Sequence, residues 1–418
     1  MSAEPLTIQP LSAPPDVDIR VPGSKSITNR ALVAAALADG VSTLRGALFA
    51  DDTEAMIDSL QRLGVRLDVD REAEIVVVHG TSGEIPVSEA ELDARQSGTT
   101  ARFLLPVLAL GHGRFRLDGD AQLRARPFGP GIDALRRLGV RIVEEGVPGH
   151  LPLVVEANGL EGGSVSIDGE VSSQFLSGLM LAAPCARGEV SIEVVGRQVS
   201  QPYVEMTSSI VEHFGGSGAA SGYVAEDLVI EPDASAASYF FAAAAITGGR
   251  VTVLDLGSAS LQGDLRFVDV LWRMGAEVDR DADSTTVRGK PLEGGFIDLS
   301  DLSDTAPTLA VVAPFASSRT EVTGIGFIRE KESDRVHAVV TELHRCGIAA
   351  EEREDGFVVQ PRRPHGATIE TYRDHRMAMA FALLGLVTPG ITISDPDCVA
   401  KTFPDYWARL EMLRARAG

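Results

Sequence analysis

The chain has 418 residues, with 38 Lys+Arg against 59 Asp+Glu for a formal net charge of −21, and is 44% hydrophobic and 23% charged. At roughly 150 residues per domain this length calls for two or three domains, and a sequence pI near 4.8 has the wrong sign for a nucleic-acid or anionic-membrane partner. Cys185, Cys346 and Cys398 lie far apart and form no CxxC, so neither a disulfide framework nor a zinc site is expected. With no apolar run of about 18 residues and no basic, apolar start over Met1–Pro15, the chain reads as soluble and cytoplasmic.

The first clear element is Ser26–Ala38, small and apolar almost all round, which predicts a buried helix. An amphipathic helix with Ile57, Leu60 and Leu63 follows, closing on Gly64 before Val65, and then a strand over Glu74–His79. The pattern returns as buried helix Ser97–Leu110, strand Arg114–Leu117, an amphipathic close at Leu135-x-x-Leu138-Gly139-Val140 and strand Leu153–Glu156. Next come buried helix Ser172–Ala186 with a weaker close at Phe214-Gly215, then buried helix Asp233–Ile246, strand Gly249–Leu254 and a close at Met274-Gly275-Ala276. Asp304–Ala316 precedes Cys346-Gly347-Ile348, and Asp374–Leu386 precedes a last helix over Pro404–Arg416 with no strand after it. Phe240, Phe241 and Trp272 read as core. These are six α/β units of roughly 70 residues. They could form one solenoid or two groups of three; the Gly-rich loop Gly215–Gly222, the Glu231-Pro232-Asp233 break and the early Pro22-Gly23 favour two halves.

The chemistry gathers at the starts of the buried helices: Lys25-Ser26, Ser97-Gly98-Thr99, Ser172-Ser173-Gln174, Asp233-Ala234-Ser235, Asp304-Thr305 and Asp374-His375-Arg376. Free N–H groups and the positive end of the helix dipole make such termini anion sites. For any one of them alone, simple capping by Ser, Thr or Asp is the stronger explanation. Capping does not explain the cations beside them: Lys25, Arg30, Arg102, Arg124, Arg126, Arg329, Lys331, Arg335, Arg376 and Lys401. Pairing with surplus acids is the alternative for each, and surface pairs contribute little. Their recurrence at helix starts points to a polyanionic ligand, with Arg suited to bidentate carboxylate or phosphate contact.

Other motifs fall away. Gly23-Ser24-Lys25-Ser26 looks like a phosphate loop but lacks the upstream glycine, and no G-x-S-x-G or H-E-x-x-H occurs. The 8 histidines are scattered, so no metal site is expected, and His337 and His344 read as surface residues. Asp51 reads as the cap of an acidic first turn, while Asp52 and Thr53 stay open as pocket residues.

The stretch Pro22-Gly23-Ser24-Lys25-Ser26-Ile27-Thr28-Asn29-Arg30 resembles the opening motif of the 5-enolpyruvylshikimate-3-phosphate (EPSP) synthases, the 3-phosphoshikimate 1-carboxyvinyltransferases. So do Ser172-Ser173-Gln174-Phe175, Ser200-Gln201-Pro202-Tyr203, Asp233-Ala234-Ser235, Lys331-Glu332-Ser333-Asp334-Arg335, Tyr372-Arg373-Asp374-His375-Arg376 and Lys401-Thr402-Phe403-Pro404. They run in the family's order over residues 22–407, nearly the whole chain. The resemblance implies a two-domain inside-out α/β barrel of six βαβαββ-like repeats, three per domain, with parallel buried helices. One domain would be residues 22–232 and the other residues 1–21 plus 233–418, with an active-site cleft between them that closes on substrate. The implied reaction moves an enolpyruvyl group from phosphoenolpyruvate to the 5-hydroxyl of shikimate 3-phosphate and releases phosphate. It is an addition–elimination in aromatic amino-acid biosynthesis, needing no cofactor, no metal, no nucleic acid and no membrane, and carried out by a monomer.

By the same resemblance, phosphoenolpyruvate is bound by Lys25, Gly98, Thr99, Arg126, Gln174, Arg335, Arg376 and Lys401. Shikimate 3-phosphate is bound by Lys25, Ser26, Arg30, Ser172, Ser173, Gln174, Ser200, Tyr203, Asp304 and Lys331. The catalytic set is Lys25, Asp304, Glu332, His375 and Lys401, with Asp304 as base at the hydroxyl and Glu332 in proton traffic at the methylene. The chain departs from the family pattern at Gln96-Ser97-Gly98-Thr99, usually Asn-Ala-Gly-Thr, at Phe103, where Pro is common, and at Phe327, where Asn is often found. Retention of Gly98 favours sensitivity to glyphosate. The sister transferase acting on UDP-N-acetylglucosamine ranks lower: it usually has Lys-Asn where this chain has Lys25-Ser26, and a reactive Cys where Asp118–Pro130 has none. Cys185 is expected to be a buried, inert thiol in an apolar helix. A non-catalytic anion binder has little use for Asp304 and Glu332, and the net charge disfavours an RNA-end enzyme.

Overall fold

The computed structural model describes residues 4–169, 172–216 and 221–414. The chain divides into two compact units, Gly23–Glu231 and Met1–Pro22 with Pro232–Gly418. Both are mixed α/β, and among the described residues no helix is long and apolar enough to cross a membrane.

The unit Gly23–Glu231 holds α1 (Lys25–Leu37), α2 (Asp51–Arg62), α3 (Gly98–Leu108), α4 (Ala121–Arg124), α5 (Gly129–Arg137), α6 (Ser173–Ala182) and α7 (Gln201–His213). Helices α1, α3 and α6 have almost no polar face, are buried nearly all round and touch one another. α2 and α5 are amphipathic, turning Met56, Ile57 and Leu60, and Ile132 and Leu135, inward. Each ends in a left-handed glycine, Gly64 at φ 90° and Gly139 at φ 83°, which stops the helix and starts a strand. Two four-stranded sheets share one topology. Leu228–Val229 runs parallel to Val41–Arg45, which pairs antiparallel with Ile75–His79 and that with Arg66–Asp70. Glu89–Asp93, His112–Asp118, Leu153–Asn158 and Arg141–Glu144 repeat it. A reduced version is the parallel pair Gly163–Asp168 and Val190–Val195.

The other unit holds α8 (Ala234–Thr247), α9 (Phe267–Arg273), α10 (Ala306–Val312), α11 (Arg335–Arg345), α12 (His375–Ala382) and α13 (Tyr406–Met412). Here α8, α10 and α12 are the buried helices, in a single apolar core that includes Phe240, Phe241 and Tyr406. The same four-stranded topology appears twice more. Asp16–Ile19 lies parallel to Arg250–Leu254, followed by Ser284–Arg288 and Glu277–Arg280. Phe296–Asp298 lies parallel to Thr320–Thr323, followed by Gly356–Val359 and Ala350–Arg353.

Several sequence expectations need correction. The helix over Ser172–Ala186 stops at Ala182, because Pro184 forces a 3-10 turn over Ala183–Cys185. Asp304–Ala316 is split into a 3-10 turn Ser303–Thr305, α10, and a second 3-10 turn Ala313–Phe315 around Pro314. Asp304 therefore sits in the turn and does not cap the helix. At α2 the cap is Ala50, not Asp51, with the Thr53 hydroxyl bonded to the Ala50 backbone. Trp272 is 62% exposed, because α9 buries Phe267, Val268, Val270 and Leu271 and turns residue 272 outward. Residues 217–220 of the predicted Gly-rich loop and the predicted helix end at 415–416 lie outside the described residues.

Candidate active site

In the unit Gly23–Glu231 the starts of α1, α3, α6 and α7 carry a linked polar network. Ser24 caps α1, Ser97 caps α3 and Ser172 caps α6 by accepting backbone N–H groups, so capping holds at all three. Lys25, the first residue of α1, places Nζ 3.2 Å from the buried Asp52 carboxylate. The Thr100 hydroxyl donates to the Asp52 carbonyl at 2.9 Å, tying α2 to α3. Asp52 was left open by the sequence and is the acid beside Lys25.

Arg30 is 2% exposed and has no carboxylate partner among the described residues. Its guanidinium donates to the Thr207 hydroxyl (2.7 Å), the Ser26 carbonyl (2.9 Å), the Ser177 hydroxyl (3.3 Å) and the Tyr203 carbonyl (3.0 Å). The Phe103 and Tyr203 rings lie 4.9 and 6.0 Å from it. Burial pulls its pKa down to about 10, which leaves it a cation at neutral pH. A desolvated cation held by neutral oxygens and ring faces attracts an anion.

Arg102 donates to the Gln174 side chain (2.8 Å) and the Pro127 carbonyl (3.0 Å), and Gln174 donates to the Thr99 hydroxyl (3.2 Å). A Cβ on Gly98 would stand 2.6 Å from Nη1 of the buried Arg126, so the glycine lets that guanidinium lie against the start of α3. Ser200, just before α7, is left-handed at φ 54° and buried; Ser173, also buried, belongs to the first turn of α6.

The second unit gathers three carboxylates and three cations. Arg335, the first residue of α11, donates from Nε to Asp374 Oδ2 (2.8 Å), from Nη1 to Asp304 Oδ1 (3.1 Å) and from Nη2 to Glu332 Oε2 (2.8 Å). Arg376 donates to Asp304 Oδ2 at 2.6 Å, and Lys401 Nζ lies 3.3 Å from Glu332 Oε1. Burial works against the Arg335 charge, but Asp374, Glu332 and Asp304 outweigh it and raise its pKa. Asp374, expected from the sequence as a helix-start cap, is also the partner of Arg335, which the sequence did not suggest. It caps α12 through the Arg376 N–H (2.9 Å), accepts from Ser333 Oγ (3.0 Å) and holds Arg335 from 39 residues away. The buried His375 ring stands 3.7 Å from Asp374 Oδ1. Of the three carboxylates Asp304 is the most open, 19% exposed in its side chain, against 8% for Glu332 and 0% for Asp374. Tyr239, on α8, has its hydroxyl pushed up to about 12 by burial, with Arg376 pulling the other way.

Lys331 lies beside Phe327, Nζ 5.9 Å from the ring centre. Arg124 is a half-exposed partner of Asp118 at 2.7 Å, and Arg329 pairs with Asp334 (3.0 Å) and Glu352 (2.6 Å); both are structural pairs with surplus acids. The start of α8 is filled by Asp233 and Gln262, with Ser235 bonded to the buried Asp264, which leaves two acids where an anion would go. Cys185 is half-buried in the turn after α6, its thiol pushed up to about 12 by burial.

The profile of EPSP synthase (3-phosphoshikimate 1-carboxyvinyltransferase) matches residues 12–410. The chain belongs to the EPSP synthase family. A 3-phosphoshikimate 1-carboxyvinyltransferase of a Nostoc species is 45% identical over 416 residues, covering 97% of this chain and 98% of the relative. Its counterpart in Shewanella sediminis is 41% identical over 409 residues, covering 94% and 96%. An EPSP synthase structure from Acinetobacter baumannii superposes with a TM-score of 0.82 at 27% identity, covering 100% of this chain and 98% of that one. The enolpyruvyl transferase NikO from Streptomyces tendae, at 20% identity and TM-score 0.78, adds only that the fold is shared. The chain is thus an enzyme that transfers the enolpyruvyl group of phosphoenolpyruvate to shikimate 3-phosphate in the shikimate pathway.

Proposed function

We propose that the two clusters serve this one reaction, with Asp304 as the base at the 5-hydroxyl of shikimate 3-phosphate. The observation that carries the reading is Asp304 itself: the most open carboxylate of its cluster, held by Arg335 at 3.1 Å and Arg376 at 2.6 Å. Arriving phosphoenolpyruvate anions compete for those guanidiniums, and their capture frees the Asp304 oxygens for the acceptor hydroxyl. Glu332 and Lys401, in contact at 3.3 Å, move the proton at the methylene, and the buried His375 lines the same helix start. Lys25, Gly98, Thr99, Arg126, Gln174, Arg335, Arg376 and Lys401 form the phosphoenolpyruvate clamp. Lys25, Ser26, Arg30, Ser172, Ser173, Gln174, Ser200, Tyr203, Asp304 and Lys331 take shikimate 3-phosphate. That the buried Arg30 meets no carboxylate among the described residues supports a ligand carboxylate or phosphate on that side.

We also read each unit as one three-repeat domain of an inside-out α/β barrel. What supports this is the shared topology of the four-stranded sheets and the three buried helices in each unit. The enzyme is further proposed to be a cytoplasmic monomer, sensitive to glyphosate because Gly98 leaves the Arg126 pocket open. An inhibition constant far above the Michaelis constant for phosphoenolpyruvate would contradict the last point.

Phosphate release, measured in chelator with shikimate 3-phosphate or UDP-N-acetylglucosamine as acceptor, tests the proposal. Release only with shikimate 3-phosphate supports it and a metal-free mechanism. Loss of activity in chelator, restored by a metal, contradicts it.

A further inference from the structure

The buried acid Glu342 belongs to none of the sets above. It lies on α11 seven residues after Arg335, so the two side chains leave the same helix face two turns apart. Both grip the same loop. Arg335 holds Asp374 at its far end, as described. Glu342, 0% exposed, accepts the Tyr372 hydroxyl at 2.8 Å and the Glu370 N–H at 3.1 Å, with Arg345 Nε 3.5 Å away.

Between the two grips the backbone makes an unusual turn. Tyr372 (φ 55°) and Arg373 (φ 54°) are successive left-handed residues, a conformation that residues with a Cβ enter only with strain. Such strain persists where the surroundings over-determine it. Here they do: the Glu370 carboxylate accepts from Thr371 N (3.2 Å) and Tyr372 N (3.4 Å), Thr371 Oγ1 accepts from Arg373 N (3.3 Å), and the Thr371 carbonyl accepts from Asp374 N (2.8 Å). The turn delivers the chain straight into Asp374, His375 and Arg376. Burial raises the Glu342 pKa, with the Tyr372 hydroxyl and Glu370 N–H pulling it back. The Tyr372 hydroxyl is itself pushed up to about 12, first by burial and then by its bond to Glu342, so it stays the donor.

We propose that Glu342 and Tyr372 are positioning residues for phosphoenolpyruvate, holding the left-handed turn that aims Arg376. The proposal rests on the reading that Arg376 binds that substrate. Tyr372→Phe removes one hydroxyl and keeps the ring. It is expected to raise the Michaelis constant for phosphoenolpyruvate roughly tenfold, while the dissociation constant for shikimate 3-phosphate stays within about twofold. In Glu342→Gln the amide oxygen still accepts the Glu370 N–H and the amide NH2 meets the tyrosine hydroxyl, so this variant should stay within about threefold of wild type. A lowered Tm with an unchanged Michaelis constant in Tyr372→Phe would make the pair structural only, and equal losses for both substrates would also overturn the proposal. Arg376→Lys is the control. If it leaves phosphoenolpyruvate binding intact, the site reading fails; if it weakens binding and Tyr372→Phe does not, the positioning role alone fails.

Discussion

Adding one methyl group at Gly98 is a sharp perturbation of the phosphoenolpyruvate side. The new Cβ would stand 2.6 Å from Arg126 Nη1, and 2.9 Å from both Cζ and Nη2. Van der Waals separation is about 3.5 Å, so the guanidinium must retreat by about 0.9 Å. Because the obstructed atoms are the far end of a long side chain, the fold accommodates this, and Tm should move by no more than about 2 °C. A charge-assisted bond of about 2.8 Å stretched that far is no longer a hydrogen bond. Its loss costs about 1.5–3 kcal/mol, or roughly ten- to a hundredfold in kcat/KM for phosphoenolpyruvate. Steady-state kinetics at saturating shikimate 3-phosphate, with calorimetry for Tm, read both quantities. Unchanged kinetics with unchanged stability would show that Arg126 does not touch the donor, and a collapse of Tm would show that the guanidinium cannot move as argued.

Arg30→Lys keeps the charge but loses the fork that serves Thr207, Ser177, Tyr203 and Ser26. Unfolding followed by calorimetry should show a loss of about 2 kcal/mol, and titration should show weaker shikimate 3-phosphate binding with phosphoenolpyruvate kinetics little changed; equal effects on both substrates would contradict the assignment. Asp118 supports the segment leading to Arg126, accepting from Arg124 (2.7 Å), Arg116 (2.9 Å) and the Gly119 N–H (2.8 Å). Burial opposes its charge, but these bonds outweigh it and hold its pKa below the ordinary 3.8. A lowered carboxyl pKa stabilises the fold above the unfolded value and is lost as pH falls through the folded one. Asp118→Asn should therefore cost about 1 kcal/mol at pH 7, discounted for the exposed arginines, and the gap in urea midpoints should narrow as pH falls below 3.8; a gap independent of pH would contradict this.

The buried helices were legible because α1, α3, α6, α8 and α12 have no polar face and start at Ser or Asp caps, both local properties. Trp272 was misread because an aromatic was assigned to the core by type; the spacing of Phe267, Val268 and Leu271 on α9 turns residue 272 outward. Cations at helix starts were visible, but their partners were not. Arg124 and Arg329 look no different in sequence from Arg335, and only the folded chain shows which pair with acids such as Asp118 and Asp334 and which converge on Asp304. Asp374 joining Arg335, and Glu342 joining Tyr372, are contacts over 39 and 30 residues that no local pattern encodes. The parallel pairing of Asp16–Ile19 with Arg250–Leu254 is non-local in the same way.

The central claim is that Asp304 takes the hydroxyl proton. The most direct measurement is kcat of Asp304→Ala beside its dissociation constant for shikimate 3-phosphate, determined by calorimetry. The expected result is a fall in kcat of roughly 10²–10⁴-fold, with the dissociation constant within about threefold of wild type. Retained turnover with weakened binding would make Asp304 a ligand contact and contradict the account.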